Sequence, residues 1–114
     1  MAITGAHVLL YTPEAEALRA VLRDVLGWNH VDAGHGWLIF ALPPAELGVH
    51  PGDTTAHEFS LMCDDLTATM AELRAKGIEF RGDPVEAGFG VAATMVLPGA
   101  VEVTLYQPRH PTAI

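Results

Sequence analysis

The sequence predicts an α+β fold in which one domain is built from two consecutive β-α-β-β-β modules. Two observations predict it: the order strand, helix, three strands occurs twice, and the apolar period changes between helix and strand within each half. The length of 114 residues fits one domain, since domains cluster near about 100 to 150 residues. A module of about fifty residues cannot bury a full core alone, so we expect the two modules to share one core.

The first module covers about residues 5–51. A strand is predicted at 5–11, and the Thr-Pro-Glu sequence at 12–14 then supplies an N-cap candidate, a first-turn proline and a first-turn acid. The helix that follows carries one apolar stripe and ends at Gly27, where a left-handed residue is wanted. The stripe consists of Leu18, Val21, Leu22 and Val25. Three strands are predicted after the helix, at 28–32, 36–42 and 45–50.

The second module covers about residues 56–108 and follows the same order. A strand at 58–63 precedes an Asp64-Asp65 cap and a helix that ends at Gly77. The apolar stripe of this helix is Leu66, Met70 and Leu73. Strands are predicted near 78–81, 90–97 and 101–106. The tail at 109–114 contains His110 and is proline-rich, so we expect it to be mobile.

The two modules align with one another residue by residue. Laying His7 on Glu58 needs one gap, and the modules then join near 52–55. The aligned pairs are Val8 with Phe59, Leu10 with Leu61, Ala17 with Ala68, Leu22 with Leu73, Arg23 with Arg74, and Gly27 with Gly77. The repeat therefore supports a tandem of two similar units.

Alternation along four of the predicted strands separates an apolar face from a face of mixed polarity. We expect the apolar set to face the helices: Val8, Leu10, Leu47, Val49, Phe59, Leu61, Cys63, Val101, Val103 and Leu105. The opposite face collects His7, Leu9, Tyr11, Glu46, Gly48, His50, Glu58, Ser60, Met62, Glu102, Thr104 and Tyr106. Because a fully solvated face would carry fewer aromatic and apolar side chains, we predict a partly sheltered cavity that binds a small molecule. Trp37 either stacks in this cavity or belongs to the core.

Composition excludes two classes of partner. The formal net charge is −8, and the six Lys and Arg residues are scattered, so nucleic-acid binding is not expected. The apolar stretches are far shorter than the roughly 20 residues of a membrane span, so we expect no membrane partner. The single cysteine and the absence of a basic-then-apolar leader predict a cytoplasmic protein. The acidic surplus either tolerates cationic ligands or only maintains solubility.

Five short segments resemble the vicinal oxygen chelate superfamily, which includes glyoxalase I, extradiol dioxygenases, fosfomycin-resistance enzymes and bleomycin-resistance proteins. They are Gly-Ala-His-Val-Leu-Leu-Tyr at 5–11, Arg-Asp-Val-Leu-Gly-Trp at 23–28, Cys-Asp-Asp-Leu at 63–66, Glu-Leu-Arg-Ala-Lys-Gly-Ile-Glu-Phe at 72–80 and Leu-Tyr-Gln-Pro at 105–108. The resemblance spans residues 5–108. It implies curved mixed sheets that enclose a cavity, helices on the outer face, and a homodimer.

Enzymes of this superfamily usually hold a divalent metal with one residue from each of four strands. Carried over by position, the resemblance places these ligands at His7, Glu46 and Glu58, with a threonine, Thr104, where the fourth ligand is usually glutamate. Gly48 is the alternative register for Glu46, and His57 lies one residue out of phase with Glu58.

A threonine hydroxyl is a poor ligand for a divalent cation. The remaining set of one imidazole and two carboxylates suits Mn, Fe, Mg or Ni, and Glu102 would be the proton shuttle of such an enzyme.

The sequence therefore leaves two functions open. The first is a drug-sequestering protein, similar to bleomycin-resistance proteins, whose dimer cavity binds an aromatic or cationic compound without chemistry. The second is a metal-dependent enzyme, similar to glyoxalases or dioxygenases, that acts on a substrate with vicinal oxygens. A dimerising module with an empty cavity is the remaining alternative. Cys63 is read as a small buried hydrophobic residue rather than a nucleophile.

Overall fold

A computed structural model describes residues 2–114 of the chain. It is an α+β structure with two sheets, which confirms the predicted class. Its elements are α1 (Ala15–Asp24), β1 (His30–Asp32), β2 (Leu38–Phe40), β3 (Ser60–Met62), α2 (Leu66–Ala75), β4 (Glu79–Ala87), β5 (Gly90–Leu97) and β6 (Val101–Pro108). No helix in residues 2–114 has the length and apolar character needed to cross a membrane.

Helix α2 begins and ends where the sequence predicts. The Asp65 carboxylate accepts a hydrogen bond from the Ala68 N–H at 3.0 Å, which caps the first turn. At the other end Gly77 has φ +92° and the Ile78 N–H donates to the Leu73 carbonyl at 3.0 Å. The predicted stripe of Leu66, Met70 and Leu73 is buried.

Helix α1 ends as predicted but begins differently. Gly27 has φ +68°, and the Trp28 N–H donates to the Leu22 carbonyl at 3.1 Å. At the N-terminus the Thr12 hydroxyl accepts a hydrogen bond from the Glu14 N–H at 3.2 Å, and the helix starts at Ala15 without a side-chain cap. Thr12 therefore organises the turn before the helix instead of capping it.

The second module forms a four-stranded sheet in the order β3-β6-β5-β4. Strands β3 and β6 are parallel, and the other two pairs are antiparallel. One side of β5 and β6 packs against α2 and forms the centre of the core, through Ala93, Met95, Leu97, Val103 and Leu105. The helix-facing positions predicted for the second module are thus confirmed, since Phe59, Leu61, Cys63 and Val101 pack around this core.

Strand β4 is longer than the sequence indicates. The sequence predicts this strand only near 78–81. In the structure the strand continues to Ala87 through an irregularity in its register between Arg81 and Val85. Gly82 has φ +72° within this irregularity, so the glycine bends the strand and does not end it.

The first module forms only half of the predicted sheet. Strands β1 and β2 pair in antiparallel fashion, whereas the segments 5–11 and 45–50, predicted as strands, have no ladder. The apolar residues of these segments are exposed, with Val8 at 53%, Leu10 at 39%, Leu47 at 90% and Val49 at 92%. The predicted contact of these residues with the helices is therefore wrong within one chain. Helix α1 does not pack on a sheet of its own module; its Leu18 packs in the core that the second module forms.

The N-terminus of α1 is attached to the second module. The Gly99 N–H donates to the Glu14 carboxylate at 2.6 Å, and the Thr12 hydroxyl donates to the Pro98 carbonyl at 3.4 Å. Gly99 has φ +83° and lies in the turn between β5 and β6. Helix α1 therefore stays on the main core although most of its module is open.

The chain is less compact than a closed domain of its length. Its radius of gyration is 15.1 Å, against about 13 Å expected for 114 residues. Its accessible surface is 8405 Å², against about 6,000 Å² for a monomer of 12.2 kDa. The unpaired strands of the first module account for this openness.

Replacing Gly90 with alanine should destabilise the chain by at least about 2 kcal/mol. Gly90 has φ +153°, and an added Cβ would lie 3.1 Å from the Gln107 carbonyl carbon and closer still to its oxygen. The paired backbone of β6 cannot move away without breaking the ladder. Urea unfolding of Gly90→Ala measures the loss.

Gly88→Ala is the matched control, because a Cβ there meets no atom within 4 Å. Equal unfolding midpoints for the two variants would contradict the close approach of β5 and β6 at Gly90.

Candidate ligand-binding site

A cavity of about 410 Å³ lies between the N-terminal segment and the open face of the main sheet. Its wall combines side chains from three parts of the chain: the unpaired segment before α1, the residues that lead into β3, and the facing strands β5 and β6. They are Val8, Leu9, Leu10, His57, Glu58, Phe59, Thr94, Glu102, Val103 and Thr104. The volume falls within the range of small-molecule sites.

The sheet register explains how the polar groups reach the cavity. Thr94 on β5 lies opposite Thr104 on β6, and Ser60 on β3 lies on the other side of Thr104. Since alternate residues share a face, Glu102 lies on the same face as Thr104. The floor of the cavity therefore carries the hydroxyls of Thr94 and Thr104 with the Glu102 carboxylate beside them, and Ser60 lies next to Thr104 outside the wall.

The two carboxylates of the cavity differ in their partners. Glu102 forms an ion pair with Arg81 of β4, with both side chains substantially exposed, so solvent weakens the pair. Glu58 has no salt-bridge partner among residues 2–114. Glu58 is thus the carboxylate whose charge is not offset by an ion pair, and Glu102, expected as a proton shuttle, is held by a guanidinium.

The three residues expected as metal ligands lie in different places. Glu58 lines the cavity, and His7 is exposed in the segment that contributes Leu9 to it. Glu46 accepts a hydrogen bond from the Ala113 N–H at 2.8 Å. Within residues 2–114 no three His, Cys, Asp or Glu side chains are grouped as metal ligands, so this set does not fit a metal within one chain.

The residues expected to bind a ligand are partly brought together. Leu9, Glu102 and Thr104 line the cavity, and Ser60 and Met62 lie on β3 beside Thr104 and Tyr106. The other seven lie outside its wall: Tyr11, Trp37, Gly48, His50, Ser60, Met62 and Tyr106. Tyr11 is 87% exposed and Trp37 is 58% exposed, so Trp37 belongs neither to this cavity nor to the core of one chain.

Tyr106 is held by aromatic and polar contacts at the end of β6. Its hydroxyl lies 3.0 Å from His110 Nε2, and the edge of the Phe89 ring packs against it with ring centroids 5.2 Å apart. Burial, and then the negative charge of Glu46, raise the pKa of Tyr106. His110, in the tail expected to be mobile, packs its imidazole on the Tyr106 ring.

Comparisons with solved structures identify the fold. The chain is similar to the antibiotic-binding protein TnmS3 from Streptomyces sp. CB03234, with TM-score 0.66, 22% identity, and coverage of 95% of this chain and 98% of that one. It is also similar to a lactoylglutathione lyase from Agrobacterium tumefaciens, with TM-score 0.65, 16% identity, and coverage of 94% and 96%. A glyoxalase/bleomycin resistance protein/dioxygenase superfamily member from Sphaerobacter thermophilus gives TM-score 0.64, 20% identity, and coverage of 94% and 99%.

The chain has the vicinal oxygen chelate fold. The three solved structures cover nearly all of it, which confirms the resemblance drawn from its short segments. No protein-family model and no curated protein matches the sequence. At these identities the likeness shows the fold alone, so the function has to be argued from the site.

Sequence reasoning missed part of the wall that this vicinal oxygen chelate fold presents. His57 and Phe59 flank Glu58 and all three line the cavity, as do the consecutive residues 8–10. Neither segment belongs to a ladder, so successive side chains do not alternate between two faces. The adjacent His57 and Glu58 were the signal in the sequence that pointed to this place.

The thiol of Cys63 should react slowly in the folded protein. Burial is the main cause that raises the pKa of Cys63, and its Sγ lies 3.6 Å from the Tyr106 carbonyl oxygen. Because the thiolate is the reactive form, a raised pKa lowers the reactive fraction at pH 8 and moves the rise in rate to higher pH. We expect at least about a 10-fold slower reaction with a disulfide reagent such as dithionitrobenzoate than in the urea-unfolded chain.

The rate is followed by absorbance from pH 7 to 10. Equal rates for folded and unfolded protein at pH 8 would contradict the half-buried position of this thiol.

Proposed function

We propose that this chain is a binding protein that holds a small aromatic or cationic compound without transforming it, as a drug-sequestering member of its fold class. The observation that carries the proposal is the cavity beside β6, whose wall holds apolar side chains together with Glu58, a carboxylate without an ion-pair partner among residues 2–114. A carboxylate attracts a positive charge, and the apolar wall takes up a planar body. TnmS3, with the same fold, is an antibiotic-binding protein, which supports this function class.

The shape of the wall favours a ligand with two different parts. Leu9 and Phe59 provide apolar area, while Thr94 and Thr104 provide hydroxyls on the floor. Hydroxyls donate and accept hydrogen bonds, so they orient polar substituents of a ring system. A compound with a ring and a basic nitrogen meets both kinds of surface.

We propose further that a second copy of the chain completes the cavity, and that the homodimer is the working form in the cytoplasm, where the single cysteine stays a thiol. The accessible surface of 8405 Å² exceeds that of a compact monomer by roughly 2,400 Å², more than the ~800 Å² that each partner of a standard interface buries. The excess coincides with the unpaired segments 5–11 and 45–50. A second copy of the chain carries the same two unpaired segments, 5–11 and 45–50, with the same apolar alternation, so it is the partner that could pair with them.

Glu58→Gln should weaken the binding of acridine orange, a planar aromatic cation, by about 3- to 10-fold. The substitution keeps the size of the side chain and removes its charge from the cavity wall. Fluorescence titration of wild type and variant measures the two dissociation constants. Glu16→Gln, an exposed change on α1 away from the cavity, is the control and should bind as the wild type does.

A second candidate function, a metal-dependent enzyme, is favoured by one observation: His57 and Glu58 lie side by side at the cavity. Elemental analysis of protein purified without chelator, together with His7→Ala, separates the two functions. Stoichiometric Mn, Fe, Mg or Ni that disappears in the variant would sink the sequestration proposal. Metal-free protein that binds acridine orange would contradict the metal-dependent enzyme.

The double variant Leu47→Lys and Val49→Lys should be a monomer, whereas the wild type should sediment at twice the 12.2 kDa mass of the chain. Leu47 and Val49 are almost fully exposed in one chain. Two lysine charges at these positions would be costly to bury against a second copy. Sedimentation equilibrium at micromolar concentration measures the masses.

Val85→Lys is the control, because Val85 is an exposed apolar residue of the second module. A wild-type chain that is monomeric at this concentration, or a double variant that stays dimeric, would show that these segments are not the interface.

A further inference from the structure

The open face of the main sheet carries a row of directly paired residues that crosses all four strands. Arg81 on β4 lies opposite Thr94 on β5, Thr94 lies opposite Thr104 on β6, and Thr104 lies opposite Ser60 on β3. Residues directly opposite one another point to the same side of a sheet. Arg81 therefore belongs to the same face as Thr94 and Thr104, which line the cavity.

The backbone of β4 holds Arg81 on this face. The strand pairs regularly with β5 from Glu79 to Arg81, and its register becomes irregular immediately afterwards, where Gly82 has φ +72°. A bulge redirects the side chains that follow it. Arg81 is the last residue before the irregularity, so its direction is set by the regular ladder.

The guanidinium of Arg81 crosses β5 to reach a carboxylate of the cavity. It forms an ion pair with Glu102, which lies on β6 opposite Val96. Neighbouring strands are about 4.8 Å apart, so the backbones of β4 and β6 are separated by about 10 Å and the two side chains meet above the face of β5. Glu102 is part of the cavity wall and Arg81 is not, so the Arg81 charge acts on the site through this ion pair.

The ion pair decides how much negative charge the cavity offers to a ligand. The cavity wall contains two carboxylates, Glu58 and Glu102, one imidazole, His57, and no Lys or Arg. The charge of Arg81 offsets that of Glu102, whereas Glu58 has no ion-pair partner among residues 2–114. One carboxylate charge, that of Glu58, is therefore left for the ligand.

We propose that Arg81 is a specificity-determining residue that makes the site favour ligands with a single positive charge, because it keeps Glu102 paired. This inference rests on the proposed function, since it concerns the cation that Glu58 is proposed to attract. A second positive charge on the ligand would lie near a carboxylate that already has a partner and near the guanidinium itself. It would lose solvation without gaining an ion pair.

The charge preference is measured with two dyes that share one ring system, ethidium with one positive charge and propidium with two. Fluorescence titration at low salt gives the dissociation constants of both dyes for each variant, and a single pH of 8 keeps the charge of His57 the same throughout. Arg81→Gln frees the Glu102 charge and should raise the preference for propidium over ethidium by about 3- to 5-fold, the size of one added charge contact in water.

Three further variants separate the charge of Arg81 from other effects. Arg81→Lys keeps the charge and should show the wild-type preference. Glu102→Gln leaves Arg81 without its partner and should shift the preference toward ethidium. Arg109→Gln removes the same charge from another exposed ion pair, that with Glu86, and should leave the preference unchanged, since neither residue lines the cavity. Added salt should reduce the rise in Arg81→Gln, because exposed charges are screened.

Two sets of results overturn the proposal and are distinguishable. In the first, ethidium binds, but Arg81→Gln keeps the wild-type preference, or Arg81→Lys or Arg109→Gln raises it as much as Arg81→Gln does. Arg81 then does not set the charge of the ligand, and the proposed function stands. In the second, the wild type binds neither dye nor acridine orange, and the proposed function fails together with the role of Arg81.

Discussion

The pairing of β5 with β6 is the interaction on which the rest of the structure depends. The two strands are in continuous register from Gly90 opposite Pro108 to Leu97 opposite Val101. One side of this hairpin forms the buried core with α2, and the other side carries Thr94 and Thr104 into the cavity. The same ladder therefore determines stability and aims the polar floor of the site. Its two outer edges are used as well, since β3 lies along β6 and β4 lies along β5.

The two modules have similar sequences but form different sheets within one chain: four strands in the second module and two in the first. In the second module, β3 lies parallel to β6 and completes the sheet. In the first module, the corresponding segments 5–11 and 45–50 carry the same apolar alternation and remain without a ladder. The difference arises from the core: α2 buries three residues on its own sheet, while α1 buries Leu18 in the core of the other module. A sheet without a covered face gains too little from burial to offset the entropy of ordering its strands.

The elements that local signals determine are those that the sequence predicted well. The Asp65 cap, the glycines that end both helices and the bounds of β5 depend on neighbours in sequence. The prediction failed where pairing depends on residues distant in sequence, as at Leu47 and Val49. In the site, the alternation along β6 correctly placed Glu102 and Thr104 on one face, because that strand has two neighbours. It could not find His57, which lies before the ladder begins, or the contact of His110 with Tyr106, which composition alone marked as a loose tail.

The short link between Glu14 and Gly99 has a consequence for how the molecule assembles. It joins the first helix to the turn of the central hairpin, so the first module is held close to a formed core while its segments 5–11 and 45–50 have no ladder. In the proposed homodimer, the second module would fold at a rate that does not depend on concentration, and segments 5–11 and 45–50 would become ordered in a later, bimolecular step. Newly made chains at low abundance would accordingly carry a formed hairpin and an unfinished half, and the completed cavity would accumulate with the square of their concentration.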